Sequence, residues 1–381
     1  PVVPSQGSLG SSGDLGPLSH MALVWTTDHL DREEDSGWAE FGGVVMTGKA
    51  AMAEAGIPRL VLGPKEGLAV NNGATFSAAL AALSVWDAAY LVEVADMGLS
   101  MSLEAMLGTI AAFDPRLHAA RNHPGQIAVA DHVKQITAGS TLMNAAGRVQ
   151  DAYSLRCAPQ VHGPVRDTLA FVSQVVEREI NAATDNPLLF APGDAISGGN
   201  FHGEPVGLVM DYLGIALSEL AAIAERRVFR RTDGKLNDGL PPMLVDTPEA
   251  AGLNSGLMMP QYTAASLVLE NQTLAHPDSV HSLPTSGEQE DHNANAMTAA
   301  RHTRQILDNT AHVLAIELYT AARALDLRLR QRPGAVLGQG TAQVHQTLRQ
   351  AVPYQPGDAW WGPEIEKVKQ LIWSRAFQLA L

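Results

Sequence analysis

Cysteine is almost missing: Cys157 is the only one in 381 residues. A lone thiol makes no internal disulfide and no cysteine-based zinc site, so the chain reads as cytosolic. Cationic residues are also scarce. With 26 Lys and Arg against 40 Asp and Glu, the formal net charge is −14. That balance leaves no electrostatic footprint for a phosphate backbone, which argues against nucleic acid and anionic membrane surfaces as partners. No apolar run is expected to reach the length of a membrane span. No basic segment followed by an apolar one opens the chain, so no signal peptide is expected. Strand-like stretches are few. Leu60-Val61-Leu62 and Ala195-Ile196 are short and flanked by Gly or Pro, which predicts small hairpins at most. No repeat of fixed period is found. There are 13 histidines, yet His276 with His281, or His292 with Asp291, fits no closed zinc spacing, and no metal is expected.

Helical periodicity is what the chain has in quantity. Val165, Leu169, Val172, Val176 and Ile180 fall on one helical face. Val206, Met210, Leu213, Leu217, Leu220 and Ala224 repeat the pattern. A third helix is predicted from about Met258 to Ala275, capped by Asn254 or Ser255, and a fourth from about Asn295 to Leu327. The last exceeds an ordinary globular helix and predicts a mainly α fold, a bundle of long helices packed in part between subunits. Gly and Pro cluster at 7–17, 192–205, 234–242 and 333–340, which read as loops. Glu33-Glu34-Asp35 reads as a solvated surface. Pro353–Pro363 leads to a final amphipathic helix, Glu364–Leu379. Three regions are expected: 1–50, 51–330 as the central bundle, and 331–381 as a C-terminal helical region.

The run Gly7-Ser8-Leu9-Gly10-Ser11-Ser12-Gly13-Asp14-Leu15-Gly16 invites two plain readings. One is a flexible linker; the other is a phosphate cradle. Linkers do not usually run straight into a buried helix start such as Leu15–Leu23. The Lys-Ser/Thr pair of a P-loop is missing, and the glycine spacing is not that of a dinucleotide fingerprint.

The chain resembles the aromatic amino acid ammonia-lyases and aminomutases. Besides the Ser11-Ser12-Gly13 triad, KEGLAVNNG (65–73), VQDAYSLRCAPQV (149–161), DNPLLF (185–190), SGGNFHGEPV (197–206) and LPTSGEQEDH (283–292) occur in the family's order, across essentially the whole chain. The resemblance implies the ammonia-lyase fold and a self-made electrophile, methylidene-imidazolone (MIO), formed from residues 11–13 without external cofactor. The Gly13 nitrogen closes on the Ser11 carbonyl carbon, which only a residue without Cβ permits, and Ser12 loses its hydroxyl as water. Ser11 stands where the family usually has Ala; because this position supplies only its carbonyl, Ser is tolerated.

The remaining roles follow from the same resemblance. Arg156 is expected to grip a substrate carboxylate with two parallel hydrogen bonds; on its own it reads rather as a structural ion pair on a helix, and the YSLRC match turns that reading. Tyr153, three residues earlier, would share a helical face with Arg156 and assist proton transfer; otherwise it is a half-buried aromatic. Gln150 would hydrogen-bond MIO or substrate, or be a solvated side chain. Asn72 would contact MIO and the carboxylate, or form an ordinary Asn-Gly turn. Phe201 would wall the pocket, or be core. Glu290, in Gln289-Glu290-Asp291-His292, points to histidine, since phenylalanine and tyrosine lyases carry Gln at the matching position. Its alternative is an acidic cap on the helix that follows. Met258 also resembles the histidine branch, or fills core.

The implied reaction is elimination of ammonia from L-histidine to give trans-urocanate. Two alternatives stand beside it: a phenylalanine or tyrosine lyase or 2,3-aminomutase with the same chemistry, and a non-catalytic helical fragment or scaffold. Residues 228–242, 258–266 and Ala152 depart from the histidine pattern and keep the first alternative open. The resemblance further implies a homotetramer whose sites draw on three subunits, and a general-base Tyr well before the triad. An N-terminal segment is therefore expected before Pro1, and the chain alone is expected to need it for activity.

Overall fold

The computed structural model describes residues 1–246, 249 and 252–380. Along the chain run α1 (Leu15–Trp25), β1 (Thr26–Thr27), β2 (Trp38–Phe41), β3 (Val44–Thr47), α2 (Gly48–Glu54), β4 (Leu60–Val61), α3 (Glu66–Asn71) and α4 (Thr75–Ala105). Then come α5 (Pro115–Arg121), α6 (Pro124–Ile136), α7 (Tyr153–Arg156), α8 (Ala158–Glu179), β5 (Leu188–Ala191) and β6 (Asp194–Ile196). The rest is α9 (Glu204–Thr232), α10 (Met258–Leu274), α11 (Ala296–Gln331), α12 (Gln339–Ala351) and α13 (Trp361–Trp373). The fold is mainly α, built on long helices.

Two compact units divide the chain: 1–84 with 172–212 and 276–304, and 85–171 with 213–275 and 305–381. In the first unit α1 packs on α2 and α3, and a small core gathers Val24, Ala39 and Ala51. β2 and β3 form an antiparallel hairpin whose turn, Gly42-Gly43, sits at φ 57° and 82°. Two glycines between β-rich runs are a hairpin signal that the strand pattern above does not include. β1 and β4 pair in parallel, so the Leu60 stretch is half of a crossover pair rather than a hairpin. β5 and β6 form the expected short hairpin.

The second unit has a dense apolar core, in which Leu99, Leu103, Phe113, Val129 and Val133 are fully buried. Contrary to expectation, two helices, α4 and α9, are long and apolar enough to cross a membrane by length and composition alone. Part of each helix is core: Leu91, Val94, Leu99 and Leu103 of α4, and Leu213, Leu217 and Leu220 of α9, are inaccessible, while Leu83 and Trp86 of α4 and Leu208 and Ile215 of α9 are exposed. α9 also carries buried charge. Arg227 donates to Glu317 (Nη2–Oε2 2.9 Å), and Arg231 donates to Ser102 and to Thr320.

Two helix boundaries differ from the periodic reading. The residue before α10 is Leu257, with no side-chain cap. Asn254 and Ser255 lie in the connection before it instead, where the Ser255 and Gly256 N–H groups donate to Asp358. α13 ends at Trp373 rather than Leu379, and Arg375 follows with a left-handed φ of 54°.

Buried Glu104 sets a pH dependence. Its two carboxyl oxygens both accept from the Gly338 N–H, each at 3.1 Å. Burial therefore pushes its pKa up to about 7 from 4.5. Between those values the unfolded chain releases this proton and the folded chain keeps it, so this group makes stability fall as pH rises from 4.5 to 7. Glu104→Gln is expected to flatten that fall, with a gain on the order of 3 kcal/mol above pH 7. Urea unfolding at pH 5 and pH 8 measures it; parallel pH profiles for the two proteins would refute it.

Candidate active site

Residues 7–14 are held on three sides within the first unit. The Gly203 N–H donates to the Gly10 carbonyl (2.8 Å), the Asn295 N–H to the Leu9 carbonyl (2.8 Å), and the Asp14 N–H to the Gly73 carbonyl (2.8 Å). Asp14 is inaccessible to solvent and acts as the clamp. Its carboxylate accepts from Ser8 Oγ (2.7 Å), from the Ser77 N–H (2.7 Å) and from Ser77 Oγ (2.9 Å). Charge-assisted bonds of this kind fix the loop as firmly as regular structure would. The run is therefore no linker.

Gly13 crosses Gly73 in a bridge at contact distance. Its φ is +82°, and a Cβ built there would fall 2.2 Å from the Gly73 carbonyl carbon. Both the left-handed conformation and the contact require glycine. α3 ends at Asn71, and the buried Asn72 that caps it points its amide back, so that Nδ2 donates to the Ser12 carbonyl (2.9 Å). The other amide atom, Oδ1, is buried without a hydrogen-bond partner. Asn72 is thus not merely a turn residue: its amide is spent on the triad backbone.

Glu290 lies some 280 positions away in sequence and meets the same segment. Thr285 and Glu290 exchange backbone hydrogen bonds (2.9 and 3.3 Å) across a tight loop, which aims the carboxylate inward. Oε2 accepts from Ser11 Oγ (2.8 Å) and Oε1 from Ser12 Oγ. The hydroxyls of Ser12 and Ser11 hold the Glu290 carboxyl below its usual pKa, because bonds donated to the charged form favour it. The helix-cap alternative for Glu290 fails on this geometry: the side chain is spent on Ser11 and Ser12, and the first turn of α11 has no acidic residue.

These groups open on a pocket of about 420 Å³, a size suited to a small ligand. Ser11, Ser12, Asn72, Phe201 and Glu290 line it, together with Leu68, Asn186, His202 and His292. His202 Nδ1 accepts from the Glu204 N–H (3.2 Å), so Nε2 carries the proton that it donates to the His292 carbonyl (3.1 Å). The two imidazoles stack at 5.8 Å. Lys65 pairs with Asp185, tying the start of α3 to the strand of chain that carries Asn186. Asp14, Lys65, Asp185, Asn186 and His202 are absent from the site read off the sequence. Lys65, Asp185, Asn186 and His202 each sit inside a motif quoted for the family, and Asp14 directly follows the triad; that placement is the signal that points to them.

The other expected site residues belong to the second unit. Tyr153 and Arg156 share the single turn α7, and the Arg156 guanidinium lies 4.8 Å from the Tyr153 ring centre, a cation–π contact. Tyr153 is 71% exposed, and the buried Arg156 Nε lacks a partner. Gln150 is exposed and precedes α7, so it is not a helix side chain. Met258 is half-buried at the first turn of α10.

Known proteins resemble this chain over nearly its whole length. The aromatic amino acid lyase family matches residues 1–350. A histidine ammonia-lyase of Caldanaerobacter subterraneus is 50% identical over 355 residues, which is 92% of this chain and 67% of that protein. Among solved structures, histidine ammonia-lyase from Trypanosoma cruzi superposes with a TM-score of 0.89 at 36% identity, covering 99% of this chain and 69% of that one. Tyrosine aminomutase from Streptomyces globisporus gives 0.90 at 34% identity, covering 99% and 73%.

Proposed function

Because this chain belongs to the aromatic amino acid lyase family, we propose that it eliminates ammonia from L-histidine to give trans-urocanate. The observation that carries the substrate is the Glu290 carboxylate, aimed into the pocket beside Ser12 and Asn72. A carboxylate pairs with an imidazolium or ammonium, where the amide of glutamine cannot. Relatives between 45% and 50% identical carry the name histidine ammonia-lyase, in line with this reading.

We assign Ser11, Ser12 and Gly13 to an MIO group made by the chain itself. The residues fit it. Gly13 has no Cβ and no room for one, and the Asn72 amide already donates to the Ser12 carbonyl, which draws electron density from the residue-12 side chain. The group supplies an electrophilic methylene for the substrate amino group. The chain's residues do the rest. Asn72 polarises the Ser12 carbonyl. Phe201 and Leu68 give the pocket its apolar wall. Glu290 orients the imidazole through a charge-assisted hydrogen bond.

Arg156 is assigned to the substrate carboxylate, Tyr153 to proton transfer, and Gln150 and Met258 to the pocket rim. These four come from the second unit, and in a homotetramer with shared sites they need not serve their own chain's Ser12. Exposed apolar side chains along the long helices, including Trp86, Leu208, Ile215, Tyr262 and Leu269, support such an assembly, since exposed apolar surface of this kind marks subunit contacts.

The substrate assignment is tested by comparing urocanate, cinnamate and coumarate formation with the full-length protein. Urocanate is expected to dominate; equal or greater cinnamate formation would transfer the assignment to a phenylalanine lyase. Glu290→Gln is expected to lower kcat/KM for histidine by about 10²–10⁴ and to raise the cinnamate share. Histidine turnover undiminished in this variant would remove Glu290 from the mechanism.

A further inference from the structure

The two oxygens of Glu290 have different serine partners, and the chemistry proposed above removes one of those two hydroxyls. Ser12 Oγ, which holds Oε1, is the hydroxyl that is lost as water when the triad cyclises. Ser11 Oγ, which holds Oε2 at 2.8 Å, stays: the closure consumes the Ser11 carbonyl and leaves its side chain intact. Thr285 Oγ1 lies 3.4 Å from the same Oε2. Ser11 is 6% exposed, so water does not compete for its hydroxyl.

We propose that Ser11 is a positioning residue that anchors Glu290 through Oε2 and leaves Oε1 as the free acceptor for the cationic end of the substrate. The serine at this position is then more than a tolerated replacement for alanine. It supplies a donor that an alanine cannot, and it fixes the carboxylate in one orientation after its second hydroxyl partner has gone. This rests on the MIO reading for the loss of Ser12 Oγ and on the histidine reading for the ligand at Oε1. The Ser11 contact itself rests on neither. The hydrogen bonds that hold the Glu290 carboxyl low come from Ser12, Ser11, Ser286 and Thr285, and the other titratable groups at the pocket are His202, Asp291 and His292.

The test uses the full chain in a Ser12→Ala background, which removes the Ser12 hydroxyl and prevents cyclisation, so no variant differs in maturation. Into it go Ser11→Ala, Ser11→Thr and Glu290→Gln, singly and with Ser11→Ala and Glu290→Gln combined. The first readout is the titration of the Glu290 carboxyl by carbon NMR of ¹³C-glutamate-labelled protein, assigned by its loss in Glu290→Gln. The second is binding of imidazole by calorimetry. Ser11→Ala is expected to move the Glu290 midpoint upward and to weaken imidazole about tenfold. Ser11→Thr is expected to restore both, and Ser11→Ala is expected to cost nothing further once Glu290 is Gln. An unmoved midpoint overturns the proposal, and so does an equal loss of imidazole in the presence and absence of the Glu290 carboxylate. A moved midpoint with no imidazole binding in any variant keeps the anchor and overturns the ligand assigned to Oε1, which separates failure of this inference from failure of the histidine reading.

Discussion

Ser12→Ala is expected to lower ammonia elimination by at least about a thousandfold, because the variant has no hydroxyl to lose and forms no electrophile. The protein should still fold. Ser12 is only partly buried, and its side chain bonds Glu290, whose other oxygen remains held by Ser11. Intact mass separates the cases: wild-type protein should be lighter than its sequence by two waters and show a near-ultraviolet band, and Ser12→Ala should show neither. Full activity in Ser12→Ala would refute the mechanism. Unchanged mass in the wild type would favour a non-catalytic helical protein.

Gly13→Ala is expected to be as damaging by a different route. The new methyl carbon would stand 2.2 to 2.4 Å from three backbone atoms of Gly73. Backbone does not yield as a flexible side chain does. The two segments must part, which breaks the Asp14–Gly73 hydrogen bond and draws the Ser12 carbonyl away from Asn72. A left-handed φ on alanine adds roughly 1 kcal/mol. Overpacking with loss of these bonds should destabilise the fold by about 3 kcal/mol or more. No water loss should be seen by mass, since the Gly13 nitrogen is no longer held against the Ser11 carbonyl. Normal water loss together with an unchanged unfolding midpoint would show that the close crossing is not needed.

Some of this was legible in the sequence and some was not, for physical reasons that can be named. α9 and the first part of α11, up to about residue 312, show as stripes at helical spacing because their faces differ in burial. α4 shows no such stripe. From Leu91 to Ala105 it is buried on nearly every side, its Ala, Ser, Met and Leu residues packing all round, so polarity does not alternate with the turn. The parallel pairing of Thr26–Thr27 with Leu60–Val61 is likewise invisible, since two residues carry no period. The role of Asp14 was hidden because its partner Ser77 lies 63 positions on.

Residue type and order set which groups this chain can bring to a reaction. A Ser-Ser-Gly triad and a carboxylate in the Gln289–His292 motif are legible in the chain read as letters. Tertiary structure alone decided which of these groups meet. It set Gly13 against Gly73, spent the Asn72 amide on the Ser12 carbonyl, and divided the oxygens of Glu290 between two serines nearly 280 positions away. Residue type fixes what a group can donate or accept; only the packing of distant segments fixes what stands 3 Å from it.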